Sequence, residues 1–491
     1  MMYGCRFQAR WAVMATAVLL TSLAPAAAHA FGGFGGGGFG GGGGGFGGGG
    51  FGGGGGNNFN GGNFQNAGVV VDATGVLRVH RVADPGGLQA KRIVQAAMAS
   101  LDNNLAKQSP LRMISLNRLE KAVAAKLAAG QPVTDEMKYL AGLLRIHYVF
   151  FYPETGDIVI AGPAEGFAED TVGRVRGLTS GRPTLQLQDL ITALRAYPPS
   201  GDKLNVIGVS IDPTQEGLER LRQTLASVGR NVRPGDDTRL AAMLREALGL
   251  QTVTVQGVSP ESHFAQVLVE ADYRMKLIGI GLEQPPVKIP SFVARADARS
   301  TSRNALQRWY FVPDYKCVRM SEDGLGMQME GWGVKLVGQS ELVQEGGVRQ
   351  EVDTESKASR EFCNAFTKEY PKLADAEPVY AELRNLIDMS VAAAFIQDKD
   401  YYGQSSWDLG VFANEASYPV NTFTTPKQVE SAVNVIWKGN TLMTPIGGGV
   451  QVEPLKALKS DNIVADTEGQ VSQSHKKVSL QDLPADSWWW D

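Results

Sequence analysis

Apolar positions alternate between helical and strand-like spacing from about Val69 onward. Residues spaced three and four apart predict an amphipathic helix, with Leu88, Val94, Met98, Leu101 and Leu105 on its apolar face. Ser115 is a helix-capping residue type that precedes a second stripe, and Gly130 and Pro132 end that stripe. Apolar runs on both sides of residues 153–157 predict a β-hairpin.

Three segments share one order of parts: a short helix, an apolar strand and a turn that contains proline. The strand and turn pieces are residues 158–163, 205–213 and 252–260. Their similar spacing predicts weakly repeated helix–strand–turn units. The alternative is coincidence, because any α/β chain produces such units.

The pattern changes after about residue 300. Residues 309–312, 318–320, 327–330 and 333–338 are strand-like, and the Glu-Asp-Gly of residues 322–324 predicts a hairpin turn. Pro378 then opens a long apolar helical stretch. The whole pattern predicts an α/β (mixed α+β) fold that combines the weak repeat, a small β layer and a C-terminal helical part.

The first thirty residues have the three parts of a secretory signal peptide. Arg6 and Arg10 are basic, residues 11–23 are mostly apolar, and Ala28 and Ala30 mark a cleavage site. The apolar run lacks the roughly 20 residues that span a membrane, and no later stretch reaches that length. We therefore expect export with cleavage near Ala30, no transmembrane span, and a location in the periplasm, the cell envelope or outside the cell.

Residues 31–66 are almost entirely glycine with spaced phenylalanine and asparagine. Glycine loses the most backbone entropy on ordering and has no side chain to pack, so this segment is expected to be a disordered arm. Two interpretations are open. The phenyl rings are weak contacts to an envelope polymer or to other arms, or the arm is a plain spacer.

These patterns predict the boundaries of the parts. They are a signal peptide (1–30), the arm (31–66), a repeated α/β body (67–300), a β layer (301–355), a helical region (356–400), a mixed region (401–454) and a polar tail (455–491) that ends in a tryptophan cluster. The tryptophans at 488–490 would form an exposed apolar patch on a free tail, so we expect another surface to bury them. That cover is either the protein's own body or a partner that recognises the aromatic end.

Composition and motifs make several classes of function less favourable for this protein. The net charge of −4 argues against nucleic-acid binding, which favours a basic excess. Signal cleavage removes Cys5 and leaves Cys317 and Cys363, which either form a disulfide in an oxidising compartment or stay as buried thiols. The sequence has no H-E-x-x-H, C-x-x-C, G-x-S-x-G or complete dinucleotide motif, so we expect neither a metal nor a cofactor.

Residues 269–283 carry the densest chemistry, where a helical pattern is followed by a strand-like one. Glu270, Asp272, Tyr273 and Arg274 crowd together there. They form either a polar site with paired carboxylates or a structural salt-bridge cluster. Asp314 joins the candidates because it lies in an aromatic row, residues 308–315, which is either a binding face or a strand that is half core and half surface.

These two segments also carry a resemblance. ADYRMKLIGIGLE (271–283), IPSF (289–292), RWYFVPDY (308–315) and SEDGLGMQMEGWGVKLVG (321–338) resemble an exported family of planctomycete bacteria, domain of unknown function 1598. The resemblance spans about residues 204–343, and more loosely the later helices and residues 447–450. ADYRMK is its most specific element. The resemblance implies lineage and export, and it carries over no activity, ligand or catalytic residue.

Two functions remain open. The leading hypothesis is a non-enzymatic binding or scaffold protein of the cell envelope or surface, whose partner is an envelope polymer or protein. The alternative is a secreted hydrolase with a carboxylate-based site around Glu270, Asp272 and Asp314, since such sites leave little local sequence signature.

Overall fold

Two mixed β-sheets and the helices packed on them form the described part of the protein. The structure, a computed structural model, describes residues 64–201, 203–228, 236–296, 305–343, 349–352, 356–434, 436–438, 441–443, 449–477, 480, 483–484 and 486–491. All of these belong to one compact unit. The predicted signal peptide and residues 31–63 of the predicted arm lie outside the described residues.

The strands vary from two to ten residues in length. They are β1 (Phe64–Val71), β2 (Val76–Asp84), β3 (Ser109–Ser115), β4 (Tyr148–Tyr152), β5 (Asp157–Ala164), β6 (Phe167–Glu169), β7 (Val175–Gly177), β8 (Ile207–Pro213), β9 (Gln251–Gln256), β10 (Ala305–Pro313), β11 (Val318–Met320), β12 (Gly326–Met329), β13 (Val334–Val343), β14 (Arg349–Val352), β15 (Gln428–Val429), β16 (Ile436–Lys438), β17 (Thr441–Met443), β18 (Gly449–Val452), β19 (Val464–Ala465) and β20 (Trp489–Trp490).

The helices alternate with these strands along the chain. They are α1 (Leu88–Ser100), α2 (Asn103–Ala106), α3 (Leu116–Ala128), α4 (Asp135–Lys138), α5 (Leu187–Ala196), α6 (Gln215–Val228), α7 (Asp237–Leu248), α8 (His263–Gly279), α9 (Phe292–Arg295), α10 (Lys357–Ala376), α11 (Pro378–Asp398), α12 (Tyr401–Ser405), α13 (Pro454–Ala457) and α14 (Gln470–His475). This arrangement confirms the predicted mixed α/β class.

The larger sheet has nine strands within the described ranges, in the order β1-β2-β15-β9-β8-β18-β10-β13-β14. Most neighbours are antiparallel, while β15 pairs in parallel with β2, and β18 with β10. The smaller sheet has seven described strands, in the order β19-β11-β12-β4-β5-β3-β20. Its hairpins β4–β5 and β11–β12 confirm the two predicted turns.

Helix α11 lies at the centre of the core. Every residue from Val379 to Ile396 is buried, because α5, α8, α10 and α13 all pack against this helix. In turn, α8 packs on β8, and α10 packs on β13. A helix that is covered all round has no solvent face, so the charged residues of α11 need partners inside the protein.

Local sequence signals account for several element ends. Ser115 begins α3, since its hydroxyl accepts a hydrogen bond from the backbone N–H of Arg118. Pro378 occupies the first turn of α11, where a missing N–H costs nothing. None of the described helices combines the length and apolar character that crossing a membrane requires.

Three of the predicted segments lie elsewhere in the fold than the sequence pattern suggested. Residues 64–66, assigned to the arm, begin β1 and pair with residues 82–84 of β2, because a backbone ladder does not depend on an apolar side-chain pattern. The strand pieces of the predicted repeat are divided, since β5 lies in the smaller sheet and β8 and β9 in the larger one. The predicted β layer is divided as well, with β10 and β13 in the larger sheet and β11 and β12 in the smaller.

Candidate functional site

The candidate segment at residues 269–283 is the second half of α8 and the turn that follows it. Ser262 begins the helix, and its side chain accepts a hydrogen bond from the N–H of Ala265. The helix continues to Gly279, so the prediction of a change from helix to strand here is wrong. The apolar run has no helical period because α8 is covered both by β8 and by α11. A Cβ at position 279 would collide with the ring of Trp309.

Glu270 and Arg274 lie one helical turn apart in α8 and belong to a buried ionic network. Arg274 donates from Nη2 to Glu283 Oε1 at 2.7 Å and to Glu377 Oε2 at 2.9 Å. Arg174, in the loop between β6 and β7, forms ion pairs with Glu270 of α8 and with a glutamate of α11. The set is called the arginine–glutamate cluster below, and its members are Arg174, Glu270, Arg274, Glu283, Glu377 and Glu382.

Most of the arginine–glutamate cluster is shielded from solvent. The side chains of Glu270 and Arg274 are 1% and 3% exposed. Burial disfavours the charge of Arg274, but Glu283 and Glu377 more than offset it, so the pKa of this guanidinium is raised. Arg81 of β2 reaches Glu283 at 3.2 Å. The cluster therefore joins α8, α11, the β6–β7 loop and strand β2.

Asp272 and Lys276 form a second buried pair, separate from the arginine–glutamate cluster. Their side chains are 0% and 5% exposed, and Nζ lies 3.2 Å from Oδ2. Lys276 also donates to the backbone carbonyl of Ile211 in β8 at 3.0 Å. Desolvation raises the pKa of Asp272 to about 6, and Lys276 limits that rise. Burial lowers the pKa of Lys276.

Asp272→Asn is expected to change how stability depends on pH between about pH 4 and pH 6. The pKa of Asp272 is about 6 in the folded protein, against an ordinary value of 3.8. The folded state therefore holds this proton more tightly, and the contribution of this group to the free energy of unfolding falls as pH rises through that window. Urea unfolding across the window should show the variant gaining relative to the parent as pH rises. A difference that stays constant with pH would contradict the assignment.

The remaining candidates are Tyr273 and Asp314. Tyr273 is half-buried, and desolvation raises the pKa of its hydroxyl to about 12. Asp314 is 53% exposed and its ion partner in the described part of the chain is Lys335, at 3.8 Å. The structure thus brings Glu270 together with Arg274, and places Asp272 and Asp314 elsewhere.

The aromatic row at residues 308–315 is the end of β10 and the residues after it. Trp309 and Phe311 are 0% exposed and belong to the main core. Trp309 Nε1 donates to Ser359 Oγ of α10 at 3.0 Å, while Tyr310 lies under the guanidinium of Arg308. The strand is therefore half core and half surface, as one of the two interpretations predicted.

Cys317 and Cys363, the two cysteines among the described residues, are buried thiols with no disulfide between them. Cys317 follows β10 and Cys363 lies in α10. Desolvation raises the pKa of the Cys317 thiol to about 12, so this group stays protonated and unreactive at neutral pH. Of the two open interpretations, the structure has the buried thiols.

The chain's last strand is a feature whose partners were not predictable. β20 adds to the edge of the smaller sheet, with Trp489 opposite Ile114 and Trp490 opposite Met113. Arg112 of β3 is 0% exposed and donates to Asp491 from Nε at 2.8 Å and from Nη2 at 3.1 Å. Of the two interpretations of the tail, the structure has it docked on the protein's own body. The three tryptophans were the available signal, and nothing in the sequence pointed to Arg112.

A cavity of about 70 Å³ lies between α1 and the β6–β7 hairpin. Ile93 and Val94 of α1 and Leu178 after β7 supply apolar wall. The charged groups are three carboxylates and one guanidinium, those of Asp84, Glu169, Asp170 and Arg176, and Thr171 adds a hydroxyl. Sequence reasoning missed this site because its two walls are about eighty residues apart in the chain and neither carries a motif.

A family model described as a protein of unknown function (DUF1598) matches residues 209–292, which run from β8 to the first residue of α9 and include all of α8. No curated protein and no solved structure matches the chain significantly. Residues 209–292 are therefore similar to a family of unknown function, and this similarity assigns no chemistry to their side chains.

Proposed function

We propose that this protein is an exported, non-enzymatic binding or scaffold protein of the cell envelope. The observation that carries the proposal is the pairing of the charged α8 residues inside the protein. A catalytic carboxylate must come within hydrogen-bond reach of a substrate, whereas Glu270 is 1% exposed and Asp272 is 0% exposed. Charges placed in this way hold elements together, which supports a structural role for the segment.

The export and the envelope location in this proposal rest on the sequence. The basic start, the apolar run and the Ala28–Ala30 site favour a secretory signal. The glycine-rich arm then provides reach, about 5–6 Å times the square root of the residue number for such a chain. A body joined to an arm of this composition suits a protein that bridges two envelope components.

Deleting residues 31–63 is expected to leave the melting temperature of the protein unchanged and to reduce its retention on isolated envelope material. The deletion stops before Phe64 because β1 begins there. The measurements are a thermal melt and co-sedimentation of the exported protein with purified envelope, parent and variant side by side. A melting temperature lowered by several degrees would show that the deleted segment is packed.

The same sedimentation assay separates the alternative function. A secreted hydrolase with a carboxylate site at Glu270, Asp272 and Asp314 predicts soluble fragments released from the envelope over time. The binding proposal predicts saturable retention without release. If fragments appear, and Asp314→Asn abolishes them while the melting curve is unchanged, the hydrolase is the better account. Asp314 suits this comparison because its exposed side chain pairs with an exposed lysine at 3.8 Å, so its loss is expected to cost little stability.

A further inference from the structure

Arg384 of α11 carries a buried guanidinium that has no counter-ion in the described part of the chain. The residue is 3% exposed, and its Nε is buried without a hydrogen-bond partner. Burial, and then the neighbouring charge of Arg145, lower its pKa to about 10, so it is still protonated at neutral pH. An uncompensated charge inside a protein is unfavourable. A negatively charged partner is therefore expected.

Arg145, which lies shortly before β4, brings a second unused donor to the same place. Its Nε donates to Asp388 Oδ2 at 2.7 Å, and its Nη1 donates to the carbonyl of Gly331 at 3.1 Å. Its Nη2 is buried and has no acceptor. Asp388 lies one helical turn after Arg384 in α11, but its ion partner is Arg145. The two arginines thus share one buried carboxylate.

Gly333 leaves space beside these groups. It lies in the turn between β12 and β13 with a φ of +69°. A Cβ at this position would be 3.6 Å from Nη2 of Arg145 and 3.1 Å from Oδ1 of Asp388. Because glycine has no side chain, the space next to the unused Nη2 is not filled from this turn.

The charges around the two arginines sum to an excess of one positive charge. Burial, and then Arg145, lower the pKa of the half-buried His147 to about 4, so this ring is neutral at neutral pH. Asp388 opposes this effect, while Arg384 and Arg182 add to it. Arg182 is 38% exposed and paired with an aspartate of α10. Three guanidiniums and two carboxylates leave one charge, which a monoanion would neutralise.

We propose that Arg384 and Arg145 bind a single carboxylate group of a ligand. The Nε and Nη2 atoms of a guanidinium form a planar fork that matches the two oxygens of a carboxylate. Arg384 supplies this fork, and Nη2 of Arg145 supplies a further donor. The half-exposed Arg182 marks the side from which the anion enters. This inference goes beyond the proposed envelope role and does not rest on it, because it assigns a ligand class to residues remote from the candidate segment of α8.

Calorimetric titration of the full chain with sodium formate, the smallest carboxylate, tests the proposal. Sodium chloride and sodium sulfate are titrated alongside. We expect saturable binding of formate and at least about tenfold weaker binding of the other two anions. Chloride cannot accept the fork with two oxygens, and the second charge of sulfate has no counter-ion. Equal affinity for the three anions, or no formate binding at millimolar concentration, overturns the proposal.

Arg384→Met removes the fork and nearly keeps the volume of the side chain. Because this guanidinium has no partner in the protein, we expect the variant to melt no lower than the parent in formate-free buffer and to bind formate at least about tenfold more weakly. Arg384→Lys keeps the charge without a planar fork, and its affinity should lie between the two. Arg92→Met, at an exposed position of α1, should change neither property.

Two results with these variants would contradict the proposal. If Arg384→Met binds formate as tightly as the parent, the anion is bound elsewhere. If Arg384→Met fails to fold, Arg384 has a structural partner in solution, such as Oδ1 of Asp388, and is not available to a ligand.

Histidine resonances locate the bound anion. The ring signals of His147 should shift on addition of formate, with the same midpoint as the calorimetric titration. His263 is the internal control, since its Nδ1 lies 2.8 Å from Asp189 at the start of α8, and its signals should stay in place. Unmoved His147 signals in the presence of saturating formate overturn the proposal.

Sedimentation with envelope material separates the two possible sources of the carboxylate. If the group belongs to an envelope polymer, formate displaces the protein from the sedimented envelope and Arg384→Met is poorly retained. If it belongs to a free small acid, retention does not change. Retention without any formate binding in the calorimeter overturns this inference and leaves the proposed function standing. Formate binding without retention supports this inference and contradicts the proposed function.

Discussion

Removing residues 488–491 is expected to lower the free energy of unfolding by at least about 5 kcal/mol. Without Asp491, the fully buried guanidinium of Arg112 loses its carboxylate, whose side chain is 28% exposed, and this loss is expected to cost about 1–3 kcal/mol. Trp488 and Trp490 are each 7% exposed, and removing a buried tryptophan costs about 3–5 kcal/mol more. Removing β20 also leaves the edge of β3 unpaired.

Single variants apportion this effect. Asp491→Asn should account for about 1–3 kcal/mol of the loss, whereas Asp486→Asn, at an exposed position of the same tail, should stay within about 0.5 kcal/mol of the parent. The measurements are urea unfolding followed by circular dichroism and the binding of a hydrophobic dye. Unchanged stability after truncation, with loss of association with a partner, would instead show that the tail serves recognition.

Arg274→Met is expected to destabilise the protein by about 3–5 kcal/mol, because it leaves buried glutamates uncompensated. Arg274 is 3% exposed and hydrogen-bonds to Glu283 and Glu377, of which Glu283 is 5% exposed. The matched control is Arg182→Met, whose ion pair with Asp375 is well exposed and is expected to contribute no more than about 1 kcal/mol. Urea unfolding at neutral pH measures both.

The comparison of these two variants tests the structural interpretation of α8 directly. Equal, small losses would mean that Arg274 is accessible to solvent or ligand and that the segment is better regarded as a site. Both variants remove one guanidinium, but the ion partners Glu270 and Glu283 of Arg274 are buried. A large loss for Arg274→Met with a small loss for Arg182→Met would therefore place the cost in the burial of these charges.

Elements with short-range causes were predictable from the sequence. The hairpin β4–β5, the turn between β11 and β12, the cap at Ser115 and the start of α11 at Pro378 all follow from residues within a few positions of each other. Capping, turn geometry and the missing N–H of proline act locally, so the rest of the fold does not need to be known.

Periodicity failed where a segment is covered on more than one side. The later part of residues 269–283 was expected to be a strand, because an apolar run without a polar face has no helical signature. In the structure they continue α8, which is covered by the larger sheet and by α11. The same limit applies to the candidate site, since the sequence could place Glu270 and Asp272 close together but not assign them to different partners.

The sequence by itself determined the fold class, the local turns and caps, and the concentration of charge at residues 269–283. Only the tertiary structure decided that Arg174 pairs with Glu270, that Arg112 pairs with Asp491, and that Arg145 pairs with Asp388. Those contacts join residues that are 96, 379 and 243 positions apart in the chain. Which distant charges meet depends on how the sheets and helices pack, and local spacing carries no information about that packing.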